Sequence, residues 1–277
     1  MDIPIQQMSL REYAEIQARF GGKILERDGH FWRQVRPFFY RPLLAVEPYD
    51  PGKVRRPVAW PSSFQYVVPA GPEANSTMNF IMLGEPQSYS LNSLLHKRRQ
   101  MITRAGRDFR VAPLTSPAEL KAHGHPIYLS FYERTGYKYK ADRQSKSVFD
   151  RWVDTLFSCP KTILLGGYGP QGLAAISSSY WVNHTLVYST LICDTGALRK
   201  NLGELMFHEI RQLAAQVPGI REIFVRPYQG GNSLDEYYLL RGCQLERRPA
   251  RLELPSPVLR LMRWTMPRQY ELLSGKD

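Results

Sequence analysis

The sequence holds little cysteine and comparatively little acid. Its three thiols, Cys159, Cys193 and Cys243, are too scattered for a disulfide framework and lack the CxxC or Cys/His spacing of a zinc site. They read as reduced thiols. No apolar run approaches the ~20 residues of a membrane-spanning helix. The N-terminal MDIPIQQMSLREY has none of the apolar core of a signal peptide. The expectation is a cytoplasmic protein, at most peripheral to a membrane. The absence of a Gly-x-Ser-x-Gly elbow, a Walker loop and a His-Glu-x-x-His run sets aside three common chemistries. Acidic residues number 25 against 37 Lys and Arg, giving a net charge of +12. Such a field favours anionic partners, without choosing among tRNA, coenzyme A, nucleotide-linked substrates and a lipid surface.

What is present is a core: 43% of the 277 residues are hydrophobic and 12% aromatic, enough for one large or two modest domains. Residues 162–168, 172–181 and 185–194 are apolar, β-branched and aromatic runs joined by turn formers, which predicts three consecutive strands. Over 202–217, Leu202, Leu205, Met206, Ile210, Leu213, Ala214 and Val217 recur at helical spacing, with Glu204, His208, Arg211 and Gln212 on the other side. Pro218-Gly219 stops that helix. A strand follows at 220–226, then a short helix capped by Asn232 or Ser233, with Ser233 and Glu236 as a capping box, ended by Gly242 before a last strand reaching residue 253.

Upstream, Ser9 and Glu12 form a capping box before a helix to about residue 20. Nine of the 21 prolines lie between residues 37 and 86, which forbids a long helix there; 62–68 and 78–83 read as strands set between turns. A helix begins at Leu91 and carries Lys97, Arg98, Arg99 and Arg104, followed by Arg107 and Arg110. Long cations on one helix face suit a polyanion backbone, although charge runs more often are solvated faces. Ser116 and Glu119 cap a further helix with Pro117 at its first position, expected to break at Gly124 and Pro126. Residues 147–157 form an amphipathic core helix. The segment 257–270 alternates aliphatic residues with Arg260, Arg263 and Arg268 around Trp264, the pattern of an interfacial helix or of one docked on the domain, with docking as the default.

The order of elements from residue 162 to 253 resembles the C-terminal half of the GNAT superfamily of N-acyltransferases, and the lead-in resembles the FemAB-like branch of that fold. Two motifs carry the likeness: Lys200-Asn-Leu-Gly203-Glu-Leu205 is similar to the family's Gln/Arg-x-x-Gly-x-Gly/Ala loop, and Tyr238-Leu-Leu-Arg-Gly242-Cys243 to its Tyr-x-x-x-Gly-Phe. The resemblance implies an α+β, GNAT-like acyltransferase fold with a mixed central sheet, spanning about 107–254. It implies an incomplete partner lobe over 1–106 and a basic amphipathic tail over 255–277. It implies an anionic donor, acyl-CoA or acetyl-CoA, with Arg199, Lys200, Leu202, Gly203 and Asn232 at its phosphates. The amide groups of Ile192, Cys193 and Asp194 would polarise the carbonyl, an amine would attack, and Tyr238 would protonate the leaving group. Leu205 and Lys200 depart from the family loop, which fits the FemAB-like branch, whose donor is aminoacyl-tRNA. The basic helix from Leu91 resembles that branch's Arg/Lys-rich helix, and 131–139 its acceptor side. A tRNA, an envelope precursor or an anionic membrane surface are the partners so implied, and a non-catalytic binding module is the other reading.

Three further candidates rest on the residues alone. His123 and His125 flank a glycine and suit an exposed turn better than a metal. His208 falls on the polar side of its helix and reads as a surface residue. Asp194, at a strand end, reads as a water-linked base or as a cap.

Overall fold

The structure, a computed structural model, describes residues 5–59, 61–136 and 140–275. Helix α1 (Leu10–Arg19) precedes strands β1 (Ile24–Arg27), β2 (His30–Arg36), β3 (Phe39–Pro42), β4 (Ser63–Val67) and β5 (Ser76–Gly84). Then come α2 (His96–Asp108), β6 (Arg110–Pro113), α3 (Pro117–Thr135), α4 (Lys146–Phe157), β7 (Ile163–Gly169), β8 (Gly172–Val182), β9 (Thr185–Cys193), α5 (Thr195–Arg199) and α6 (Leu202–Ala215). The chain continues through β10 (Glu222–Pro227), α7 (Ser233–Leu239), β11 (Gln244–Glu253), α8 (Ser256–Thr265) and α9 (Pro267–Ser274). This is an α+β fold of two compact units, one of Met1–Ser9 with Gly84–Ile223 and one of Leu10–Leu83 with Phe224–Asp277.

In the first unit β6, β7, β8 and β9 form an antiparallel meander. Its two faces are covered by different helices. A Cβ built on Gly167 would lie 3.0 Å from Leu202 Cδ1 and from Met206 Sδ, so α6 rests directly on the β7 backbone and only hydrogen fits between them. The neighbouring Ile176 reaches α3 on the opposite face, as strand alternation requires. Helix α3 runs unbroken through Gly124 and Pro126, against the expected break. Gly124 is a packing site: a Cβ there would meet Leu120 Cδ1 at 2.5 Å and Phe149 Cζ at 3.0 Å, so the glycine lets α3 close on α4. His123 and His125 are therefore helical, not in a turn, and His125 Nε2 lies 2.9 Å from Gln144 O. Before α2, Leu91–Ser93 forms a single 3-10 turn and Leu94 is extended. The Ser93 hydroxyl donates to Ser90 O at 2.7 Å, closing a local turn that ends the helical run expected from Leu91.

The second unit orders its strands β1-β2-β3-β4-β11-β5-β10. Strand β11 inserts antiparallel between β4 and β5, Ala250 standing opposite both Val67 and Ser76. Strands β1 and β2 precede the proline-dense segment and β3 lies within it; none of the three was expected. They are held by aromatic packing. Trp32, fully buried, stands edge-on to Phe64 at 5.6 Å and to Tyr66 at 6.2 Å between ring centroids, and Tyr40, Tyr49 and Val68 complete the cluster. At the C-terminal end the chain breaks between α8 and α9 at Pro267. Helix α8 has no buried residue, and its Leu259 and Met262 are half-buried.

Candidate functional site

The end of β9 and the start of α5 form one knot of hydrogen bonds. Asp194 is the N-cap of α5: Oδ1 accepts from the N–H groups of Gly196 at 2.8 Å and Ala197 at 3.0 Å, and Oδ2 accepts from the Ser130 hydroxyl at 3.0 Å. Burial acts to raise its carboxyl, but these donors together with the Thr195 N–H outweigh it and hold the group below the usual aspartate range. A carboxylate so occupied is a helix cap. Ser130 and Arg134 stand one turn apart on α3, and Arg134 Nη1 donates to Thr195 Oγ1 at 2.9 Å and Cys193 O at 3.1 Å. Sequence reasoning passed over this pair; their i, i+4 spacing on α3 was the available signal.

The β8–β9 ladder decides which amides of this segment are spent on β8. The Asp194 N–H donates to Ala174 O at 2.9 Å, and Cys193 stands opposite Ala175. Antiparallel alternation then turns the Ile192 and Asp194 N–H groups toward β8 and the Cys193 N–H away from it. Of the three expected donors, Cys193 is the one that β8 does not engage. Its thiol is no nucleophile, since burial pushes it up to about 12, with Arg134 opposing and Asp194 adding to the shift.

The start of α6 differs from an open phosphate loop. Arg199 and Lys200 are exposed, but Leu202, Gly203, Glu204 and Leu205 are all buried. Asn201 takes a left-handed conformation with φ 66°, and its carbonyl accepts from the N–H groups of Glu204 at 3.0 Å and Leu205 at 3.3 Å. Glu204 points to α2, where Arg98 Nη1 meets its Oε1 at 2.6 Å; the two side chains are 15% and 6% exposed. Of the polar side expected for α6, Glu204, His208 and Arg211 are interior and Gln212 is exposed. His208 Nδ1 lies 2.8 Å from the Tyr89 hydroxyl, and the Arg211 guanidinium stacks 4.1 Å from the Phe207 ring centre. His208 is buried and not on the surface. Its pKa is lowered by that burial and then by Arg211, which keeps the imidazole neutral near pH 7.

With Arg98 engaged by Glu204, three other α2 cations, Arg99, Arg104 and Arg107, line a groove of about 480 Å³ together with Leu91, Asn92, His96, Gln100 and Thr103. Arg99 Nε is buried there with no acceptor among the described residues. No carboxylate lines the groove.

Tyr238 and Asn232 lie in the second unit. Asn232 caps α7, its Oδ1 accepting from the Asp235 N–H at 2.9 Å, so the capping box pairs Asn232 with Asp235, not Ser233 with Glu236. The fully buried Asp235 gathers this loop: Oδ2 accepts from the N–H groups of Gln229 at 2.9 Å and Gly231 at 3.1 Å, and Oδ1 faces Arg226 Nε at 3.5 Å. Tyr238 is buried, at 9% exposure, and burial, with Tyr237 and Cys243 adding to it, pushes its phenol above the ordinary range. Tyr237 stands edge-on to it and carries the Arg241 guanidinium over its ring. Tyr137, Lys138 and Tyr139, in the segment expected on the acceptor side, lie outside the described residues. Among the described residues no group of three His, Cys, Asp or Glu is placed to hold a metal.

This architecture has solved counterparts. The C-terminal domain of a putative lysylphosphatidylglycerol synthetase from Agrobacterium fabrum matches with a TM-score of 0.61 at 9% identity, over 95% of this chain and 92% of its own. FemX matches with 0.60 at 10% identity, over 94% and 95%, and the L-PGS of Bacillus licheniformis with 0.56 at 9% identity, over 99% of each. No family model and no curated protein sequence matches the chain. The chain has a GNAT/FemAB-like fold.

Proposed function

We propose that the protein transfers an aminoacyl group from aminoacyl-tRNA to an amine. The observation that carries this reading over a coenzyme A donor is the buried first turn of α6. A pyrophosphate needs exposed N–H groups at a helix start, and here that turn is covered and carries the Glu204 carboxylate against Arg98. An incoming diphosphate would meet both crowding and like charge. The acid-free groove of α2 suits the opposite kind of ligand, a chain of phosphodiesters met by Arg99, Arg104 and Arg107 without base readout.

In the proposed reaction the amine nitrogen attacks the ester carbonyl, and the bond to the ribose oxygen breaks. Tyr238, kept protonated by its raised pKa, gives its proton to the departing oxygen, and the attacking amine loses one to solvent. Asp194 serves as a positioning residue that fixes the β9–α5 corner through Ser130. Replacing Arg99, Arg104 and Arg107 jointly by Gln tests the donor side. Retention of tRNA on filters should weaken, and its log–log salt slope should flatten by roughly one unit for each phosphate no longer neutralised, with thermal stability unchanged. An unchanged slope would return the groove to an ordinary solvated face.

A further inference from the structure

Helix α8 is exposed on the side where a docked helix would be apolar and covered. It contains no buried residue, and Val258, Leu261 and Trp264 stand in solvent, Leu261 at 58% and Trp264 at 84% exposure. At ~100° per residue these three fall within one arc of about 120°, while the half-buried Leu259 and Met262 turn the other way. Arg260 and Arg263 occupy the remaining side, and Arg268 follows at the start of α9. Between Glu253 and Glu271 there is no acidic residue at all. The pair of helices is fixed from behind: α8 packs on α9, Leu273 O accepts from Gln65 Nε2 at 2.8 Å, and Ser274 is buried. The apolar arc of α8 is thus held outward by an anchored neighbour.

We propose that α8 docks the protein on an anionic lipid surface, with Trp264, Leu261 and Val258 entering the boundary between headgroups and acyl chains. Arg260, Arg263 and Arg268 reach the lipid phosphates. A tryptophan favours that boundary because its ring is apolar and its N–H stays hydrated, and each cation near an anionic bilayer adds attraction. The charge decides against a second copy of the chain, which would bring Arg260 and Arg263 against their own equivalents. A polyanion without an apolar phase would satisfy the arginines and leave Leu261 and Val258 in water. No helix among the described residues is long and apolar enough to cross a membrane, so α8 lies on the surface. Docking of this kind is independent of the transferase reading and needs no activity.

Flotation of the whole chain with vesicles of phosphatidylcholine alone, or mixed with phosphatidylglycerol, tests it. The protein should float with the mixed vesicles and stay behind with the uncharged ones. Arg260→Gln with Arg263→Gln should lower the partition coefficient about 30-fold, from about 1 kcal/mol per cation. Trp264→Ala with Leu261→Ala should lower it roughly tenfold or more, and neither pair should move the melting temperature, since all four side chains are exposed. Wild-type protein that ignores phosphatidylglycerol, equal partition onto uncharged vesicles, or full partition by either double variant would overturn the proposal. So would a concentration-dependent dimer that Trp264→Ala dissolves, because the occupant would then be a second copy.

Discussion

Removing Arg98 is the sharpest perturbation of the α2–α6 interface. The Arg98–Glu204 pair is 2.6 Å long, with side chains 15% and 6% exposed. Surface ion pairs of this type contribute about 0–1 kcal/mol, but breaking a buried pair from one side costs about 3–5 kcal/mol, because the remaining charge keeps its desolvation penalty. Arg98→Met retains the aliphatic stem and leaves the Glu204 carboxylate facing a thioether where the guanidinium was. The expected destabilisation is therefore about 3 kcal/mol or more. Glu204→Leu in the same background removes the second charge, and the double variant should recover to within about 1 kcal/mol of the wild type or exceed it. Urea unfolding followed by far-ultraviolet circular dichroism, run as a double-mutant cycle, gives the coupling directly. A destabilisation below about 1 kcal/mol for Arg98→Met, or a coupling near zero, would place this pair in the surface class. Helix α6 would then not begin under a closed, charged interface, and the case against a diphosphate there would fall.

Three further outcomes follow from the geometry. Tyr238→Phe should lower transfer to an amine by about 10²–10⁴-fold while donor binding is kept, and Tyr237→Phe should change it little; equal silence of both would make Tyr238 a packing residue. Asp194→Ala should cost about 1–2 kcal/mol through removal of the cap. Because the folded-state pKa of Asp194 is lowered, its contribution is present above the unfolded value of about 3.8 and lost as pH falls below it, so the variant should show a shallower acid limb in its stability profile. His208, also lowered, binds its proton more readily when unfolded, so stability should fall as pH drops below about 6.5; His208→Phe should remove that part of the decline, and an unchanged profile would show that the ring is not held neutral.

Strands β7, β8 and β9 and helix α6 were legible because each is a run with one clear period, bounded by Gly, Pro or Asn. The role of the polar side of α6 was not. Glu204 and His208 looked solvated because their partners, Arg98 and Tyr89, lie 106 and 119 residues away in the chain, and no local pattern joins them. Helix α3 shows a second limit. Gly124 and Pro126 are break signals locally, yet the close approach of Phe149 makes the glycine a packing site, and tertiary packing outweighs the propensity. Of the strands β1–β3 only β3 lies among the prolines; β1 and β2 are runs interrupted by Glu26, Arg27, Arg33 and Arg36, though Trp32, Tyr40 and Phe64 were there to be read as a core. The insertion of β11 between β4 and β5 joins segments some 170 residues apart, which periodicity cannot express. Within the site, Asp194 was legible only as one of two readings, a water-linked base or a cap, and it is the N-cap of α5, whereas Ser130 and Arg134, which fix it, were missed because both read as ordinary polar positions on a helix.

The nature of the donor is the central claim, and one paired titration of a single preparation tests it most directly. Aminoacyl-tRNA is followed by filter retention, and acetyl-CoA at millimolar concentration by thermal shift. A ligand bound only by the folded state stabilises it by RT ln(1 + [L]/Kd), about 2.7 kcal/mol at a hundredfold excess over Kd, so a real coenzyme A site cannot stay silent at such concentrations. The expected result is saturable, salt-dependent retention of aminoacyl-tRNA that is weakened by the Arg99, Arg104 and Arg107 substitutions, with no shift from acetyl-CoA. Stabilisation by acetyl-CoA that is abolished by a bulky residue at Gly203, with no retention of tRNA, would contradict the account.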